Sequence, residues 1–180
     1  MTRKKKIIRN LIIIIVIYLL PINKTGLYLD PIKAHRDSER SSHYGPSEIL
    51  HIEDFPRGKY ILGKYDKWFS CNTINKKLAI FWTFGSGPGG IENDRAKPMS
   101  YSWQGTLEDF ILFGIVNDER IEKVELTLHT DEVFSQEEFY DDMFLFVYSR
   151  DGGTNNFKYL RGYDKEGSII FETINPMYID

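Results

Sequence analysis

Near the N-terminus, ten apolar residues follow a basic cluster and divide the chain into two parts of different character. Basic residues occupy positions 3–6 and position 9, and residues 11–20 are apolar without interruption. The apolar run consists of Leu11, Ile12, Ile13, Ile14, Ile15, Val16, Ile17, Tyr18, Leu19 and Leu20. A basic segment followed by an apolar run is typical of an export signal. The sequence therefore predicts that residues 1–23 direct the rest of the chain out of the cytoplasm.

Two fates are open for this N-terminal segment. Ten apolar residues match the hydrophobic part of a signal peptide and fall short of the roughly 20 that cross a bilayer comfortably. The first alanine of the chain is Ala34, however, so no A-x-A cleavage site follows the run. We therefore expect an uncleaved single-pass membrane anchor, as a signal or transmembrane helix, with its basic end in the cytoplasm and the remaining chain outside. Secretion after cleavage is the alternative.

Charge separates this segment from the remainder. The chain has 23 Lys and Arg against 26 Asp and Glu, and residues 1–23 hold five basic residues and no acid. Residues 24–180 are left with 18 basic and 26 acidic residues, a net charge of −8. Because an acidic surface repels a phosphate backbone, we predict no nucleic-acid partner. The only cysteine is Cys71, so the exported part holds no internal disulfide.

Patterning predicts a polar spacer followed by one β-rich domain. Residues 24–47 are expected to be the spacer, helical or flexible, with Asp30 and Pro31 suited to start a helix. Residues 48–180 are predicted to form a single extracytoplasmic domain, because short apolar strands recur between Gly and Asp turns. The predicted class is mainly β, an antiparallel meander followed by a β-sandwich-like module. Residues 135–138 match a helix capping box, which keeps an α+β class as an alternative.

Some runs also predict the position of a strand. Residues 78–84 and 143–148 are apolar on both faces, which predicts strands at the centre of a sheet. Residues 75–77 are expected to form the hairpin turn before the first of these runs. Residues 124–128 alternate between apolar and polar side chains, which predicts a strand with one buried face.

Several segments of the predicted domain occur in a familiar order, including a Gly-Ile-Val strand and a closing Asp-x-x-Gly hairpin. These segments are residues 63–68, 101–103, 112–118, 124–128, 144–146 and 162–167. Over roughly residues 30–172 the chain resembles uncharacterised small membrane-anchored extracytoplasmic proteins of Gram-positive spore-forming bacteria. The resemblance implies a β-sandwich-like exported domain and carries no catalytic residue to this sequence.

Motifs for catalysis or metal binding are weak. The Gly-rich stretch 85–90 is not followed by the Lys and Ser of a phosphate loop. The four histidines lack zinc-ligand spacing. Residues 108–142 hold twelve acids against two bases, without the calcium-loop pattern. We predict no catalytic residue, no metal and no cofactor, and we keep attraction of a basic partner as one use of the acidic stretch.

Aromatic residues supply the remaining candidates for a site. Trp68 and Trp103 are suited to line a groove for a sugar or a peptide, whereas Trp82 lies in an apolar run and is expected in the core. The sequence thus favours a membrane-anchored binding or interaction module with an extracytoplasmic protein partner. The alternative is a secreted or wall-associated hydrolase with unrecognised acidic catalytic residues.

Overall fold

The computed structural model of the protein describes residues 3–19, 26–85, 89–106, 109–149 and 157–175. The helices in these ranges are α1 (Arg3–Leu19) and α2 (Pro31–Ser41). The strands are β1 (Glu48–Phe55), β2 (Gly58–Tyr65), β3 (Trp68–Lys77), β4 (Phe81–Phe84), β5 (Ile91–Glu92), β6 (Met99–Gly105), β7 (Asp109–Val116), β8 (Lys123–Leu128), β9 (Val133–Gln136), β10 (Met143–Ser149), β11 (Phe157–Tyr163) and β12 (Ile169–Ile174). The prediction of a mainly β chain with antiparallel sheets is confirmed.

The strands form three antiparallel sheets stacked as layers. Sheet A has the order β1-β2-β3-β4, with β5 paired to the start of β3. Sheet B has the order β10-β7-β6, and sheet C the order β12-β11-β8-β9. One face of sheet B shares a hydrophobic cluster with sheet A, and the opposite face shares another with sheet C. Sheet B is therefore the middle layer, and α2 covers the outer face of sheet A.

Strand β7 shows how the sequence specifies a middle layer. Ile111 and Phe113 join the cluster with sheet A, whereas Phe110 and Leu112 join the cluster with sheet C, and all four are buried. Because successive side chains point to opposite faces of a sheet, a strand covered on both faces must be apolar at consecutive positions. The central position predicted for residues 143–148 is wrong, because β10 lies at an edge of sheet B, although these residues are buried or half-buried on both faces.

The central position predicted for residues 78–84 is wrong. Residues 78–80 form an exposed turn, and Phe81–Phe84 is the edge strand of sheet A. Residues 75–77, expected as the turn, continue β3 and pair with β4. An apolar run has the same periodicity in a buried strand and in an exposed hairpin, so the pattern does not distinguish the two.

Other elements also differ from expectation. Strand β1 was not foreseen from the sequence, and residues 133–136 form a strand of sheet C in place of a helical turn at the capping-box residues. Strand β8 follows its prediction, because Val124, Leu126 and Leu128 are buried while the residues between them are half-buried. A local preference for helix is overridden where pairing with a neighbouring strand supplies backbone hydrogen bonds to several residues.

The stretch expected as a spacer contains a helix of the folded unit. The Asp30 side chain accepts a 2.9 Å hydrogen bond from the backbone N–H of Ile32, and Pro31 occupies the first helical turn. These contacts confirm the helical alternative and its predicted start. On the inner face of α2, Ala34, His35 and Glu39 are buried against sheet A.

Helix α1 spans most of the predicted anchor. The side chains of residues 3–14 are exposed, and the anchor residue Leu20 lies outside the described residues. Within the part of the chain that the structure describes, no helix combines the length and the apolar character that crossing a membrane requires.

Candidate functional site

A cleft of about 1240 Å³ opens at one end of the stack, where the ends of the three sheets meet. Its walls come from the β2–β3 turn, the segment after β5, the β7–β8 loop, the segment before β10 and the β11–β12 turn. Each sheet contributes to the wall, so the layer packing brings distant parts of the sequence together. A cleft of this volume is large enough for a short peptide or a small molecule.

Aromatic and aliphatic side chains form the apolar part of the cleft. They are Trp68, Phe69, Ile115, Val116, Ile121 and Phe139. Trp68 begins β3, is half-buried and pairs with Glu92 of β5. Gly90 leaves room for the Tyr44 ring beside the Trp68 β-carbon, because a side chain at position 90 would collide with both.

Paired amides stiffen one wall. Nδ2 of Asn93 donates to Oδ1 of Asn117 at 2.8 Å, and Nδ2 of Asn117 donates back to Oδ1 of Asn93 at 3.0 Å. Asn117 also donates to the backbone carbonyl of Lys97 at 2.9 Å. These bonds fix the start of the β7–β8 loop against the segment after β5, so that wall of the cleft is ordered without a ligand.

Most of the basic side chains in the cleft are neutralised by acids that stand outside its lining. Lys64 pairs with Asp141 at 2.9 Å, and Lys67 pairs with Glu92 at 2.7 Å. Lys123 pairs with Glu125 at 2.8 Å, and this hydrogen bond raises the pKa of Lys123. Lys165 lies 3.6 Å from its neighbour Glu166. Arg95 lines the cleft without an ion-pair partner among the described residues.

The carboxylates of the lining are far less compensated. Those that form neither an ion pair nor a side-chain hydrogen bond within the described ranges are Asp66, Glu119, Glu122, Glu137 and Asp142. Asp164 also lines the cleft and accepts hydrogen bonds from the backbone N–H groups of Glu166 and Ser168. Five unpaired carboxylates against one unpaired guanidinium give the cleft a negative potential.

Sequence reasoning found Trp68, and the acidic stretch 108–142 that it kept for attraction of a basic partner supplies four of the lining acids. It missed Asp66, and it did not place these acids beside Trp68. Asp66 and Asp142 have positive φ values of 54° and 65° and occupy hairpin turns. Aspartate is common at such positions because its short side chain tolerates the left-handed conformation. A turn aspartate therefore gives no signal of binding in the sequence, and its role as a cleft wall depends on which turns meet in space.

The structure separates the two tryptophans that the sequence nominates. Trp103 is 58% exposed on β6, stacks on Phe110 with ring centroids 5.5 Å apart, and is absent from the cleft lining. Trp103 pairs with Leu112 in the first half of β7, whereas the cleft is lined by the last residues of that strand. A ligand role for Trp103 stays a prediction. Trp82 packs against the cluster beneath α2.

A serine, a histidine and a carboxylate also converge beneath α2. Nε2 of His35 lies 3.1 Å from Oε1 of Glu39 and 3.4 Å from Oγ of Ser47, whose hydroxyl also donates to Glu39. Asn72 of β3 contacts Nδ1 of His35 at 3.1 Å. His35 is fully buried and Ser47 is 2% exposed, so a substrate has no access to the hydroxyl. His35, which belongs to the stretch predicted to be a polar spacer, is thus a buried residue that docks α2 on sheet A.

The carboxylates and histidines give no metal centre: no group of three or more His, Cys, Asp or Glu among the described residues is placed to hold a metal ion. Comparisons of the chain with family models, with curated proteins and with solved structures found no match.

Proposed function

We propose that this protein is a binding module that holds a cationic segment of a partner, such as a Lys- or Arg-rich peptide, in the cleft beside Trp68. The observation that carries the proposal is the charge imbalance of the lining, with five unpaired carboxylates against Arg95 alone. Unpaired carboxylates attract a basic ligand and orient it as it approaches. The indole of Trp68, which already has the Nζ of Lys67 5.5 Å from its ring centre, adds an apolar surface for packing of an aliphatic stem.

We also propose that the domain works outside the cytoplasm, close to the membrane, with the N-terminal segment as its export signal and anchor. The support is the basic-then-apolar order of residues 3–20 and the exposure of α1. Its large apolar side chains that face solvent are Ile7, Ile8, Leu11, Ile12, Ile13 and Ile14, each between 47% and 62% exposed. So many exposed apolar side chains need a covering, and a bilayer supplies one.

The hydrolase alternative has less support. A glycoside hydrolase needs one carboxyl that stays protonated near neutral pH, and burial in an apolar site is the usual means of achieving this. Glu119, Glu122, Glu137 and Asp142 are all exposed to water. Exposed, unpaired carboxylates are suited to electrostatic attraction of a ligand, which favours binding over acid catalysis.

Isothermal titration calorimetry of the full chain with a short oligolysine peptide tests the cleft. We expect binding that weakens with salt, and the Glu137→Gln and Asp142→Asn variants to lose about two- to fivefold in affinity each. The acetylated peptide, which lacks the charges, is the ligand control. Glu132→Gln removes an exposed acid outside the lining and should leave the affinity unchanged. Equal losses in all three variants would show a general charge effect and contradict a binding site in the cleft.

A reporter fused after Asp180 tests localisation separately. The reporter should be active only outside the membrane, and the protein should stay with the membrane fraction after a salt wash. A product recovered in the cytoplasmic fraction would contradict export, while the calorimetric test of the cleft would still stand.

A further inference from the structure

The turn between β3 and β4 presents large apolar side chains to solvent. Leu78 is 82% exposed and Ile80 is 60% exposed, and Leu29 beside β4 is 64% exposed. We call residues 76–80 the hairpin tip. Neighbouring exposed aliphatic side chains on a turn mark a contact surface.

The backbone of the tip makes these side chains unusual. Leu78 and Ala79 have φ values of 48° and 66°, in the left-handed region. Gly, Asn and Asp are the residues that favour this conformation in short hairpins. At this position leucine has an unfavourable backbone conformation, and its apolar side chain is exposed to water. We take this combination to indicate that the side chain makes a contact outside the chain.

Two exposed lysines flank the apolar side chains. Lys76 lies with its Nζ 5.6 Å from the centre of the Trp82 ring, and Lys77 is the last residue of β3. Within the ranges that the structure describes, neither lysine forms an ion pair. Uncompensated positive charge beside exposed aliphatic groups, on a domain that is acidic as a whole, matches the surface of a bilayer that carries anionic lipid.

The tip also lies close to the place where the chain joins the domain from α1. The backbone N–H of Tyr28 donates to the carbonyl of Trp82 at 2.8 Å, and the N–H of Trp82 donates to the carbonyl of Tyr28 at 2.7 Å. Eight residues lie between Leu19 and Tyr28, and the nine chain steps that join the two span at most about 32 Å. Leu19 therefore lies within about 32 Å of Tyr28, which is paired with the strand that follows the tip.

We propose that the hairpin tip is an interfacial membrane contact. Leu78 and Ile80 enter the boundary between headgroups and acyl chains of an anionic bilayer, and Lys76 and Lys77 bind lipid phosphate. The contact orients the domain on the membrane and is independent of the ligand in the cleft. It rests on the proposed membrane placement of the chain.

Fluorescence of a single label on the full chain tests the contact. Cys71 is buried and its pKa is raised by burial, so a thiol-reactive environment-sensitive dye will label an introduced cysteine selectively. The test site is Leu78→Cys, and the control is Val133→Cys, 54% exposed on β9 of sheet C. Each protein is incorporated into vesicles of phosphatidylcholine with phosphatidylglycerol, and into phosphatidylcholine alone.

We expect the dye at position 78 to shift to shorter wavelength on vesicles with phosphatidylglycerol and to be quenched by spin-labelled lipid, with no change at position 133. Vesicle-bound protein whose label at position 78 stays in a water-like environment would overturn the proposal. A wavelength shift without lipid quenching would also overturn it, since a protein surface would then cover the tip. Protein that fails to float with vesicles would overturn the anchor as well.

Charge reversal supplies a second measurement. In the Lys76→Glu and Lys77→Glu variants, lipid quenching at position 78 should fall, and the dependence on phosphatidylglycerol should be lost. The same substitutions should leave oligolysine binding in the cleft unchanged, because neither lysine belongs to its lining. Unchanged quenching in both variants would contradict the role assigned to the lysines.

Discussion

The hydroxyl group of Tyr60 donates a 2.6 Å hydrogen bond to Oδ2 of Asp109, and this bond joins sheet A to the start of the central strand of sheet B. Tyr60 is fully buried, and burial followed by its contact with Asp109 raises its pKa. The tyrosine is therefore a neutral donor at every physiological pH. It faces its partner across the cluster shared by the two sheets, which places a polar connection inside an apolar interface.

Removing this hydroxyl should weaken the contact between the sheets. Tyr60→Phe leaves the Asp109 carboxylate without its buried donor, so we expect a loss of about 1–2 kcal/mol in the free energy of unfolding. Urea denaturation followed by circular dichroism measures it. Tyr159→Phe on β11, where no hydrogen bond of the hydroxyl is found among the described residues, is the matched control and should change stability little.

Stability should also fall on mild acidification because of His35. Burial is the largest effect on this residue and lowers its pKa, and Arg36 acts in the same direction, whereas Glu39 opposes both. The hydrogen bonds agree with a neutral ring, since Nε2–H is placed to donate to Glu39 and Nδ1 to accept from Asn72. We favour the lowered pKa because each ring nitrogen is satisfied without the second proton.

The sign of the pH dependence follows from linkage. A histidine whose folded-state pKa lies below its unfolded value of about 6.5 binds more protons in the unfolded chain, so stability decreases as pH falls below about 6.5. Its slope approaches about 1.4 kcal/mol per pH unit at most. Chemical denaturation between about pH 7 and 5.5 measures this slope, which His35→Gln should flatten. An identical slope in the variant and in the unaltered protein would refute the assignment.

Gly114 sets the spacing within sheet B. A β-carbon at this position would collide with the carbonyl oxygen of Ser100 and with the ring of Phe144. Gly114→Ala should therefore destabilise the protein by about 1–3 kcal/mol, as overpacking does in a filled core. Thermal unfolding compares it with Gly89→Ala, where the nearest atom would be at an ordinary 3.4 Å. A Gly114→Ala variant as stable as the control would show that the ring relaxes without cost.

Cys71 should behave as a reporter of global unfolding. It is fully buried between sheets A and B, and burial raises the pKa of its thiol. The thiolate is the reactive form, so we expect Ellman's reagent to react only when sheet A separates from sheet B. The rate of thiol reaction should be low in buffer without urea. It should rise with urea concentration in parallel with the unfolded fraction. Fast reaction of the folded protein would contradict this burial.

The burial of β8 was predicted correctly, because alternating apolar and polar residues show which face of a strand is buried. In β7 and β10 the continuity of apolar residues likewise corresponds to burial on both faces, but it did not predict that β10 lies at an edge of sheet B. The start of α2 was predictable for a similar reason, since a cap and a first-turn proline act within a few residues. Local chemistry and periodicity are sufficient where the governing contact is local or where a whole face is buried.

The division of charge at residue 23, the mainly β class and the apolar character of the middle layer all follow from the amino-acid sequence. The contacts between distant residues depend on the packing of the sheets: His35 meets Glu39 and Ser47 out of water, Trp68 lines a cleft and Trp103 does not, and Leu78 lies on an exposed tip. Cleft walls and hairpin tips are formed by turns from separate strands. Which turns meet depends on how the three sheets stack. The residues of a turn do not indicate which other turns will lie beside it.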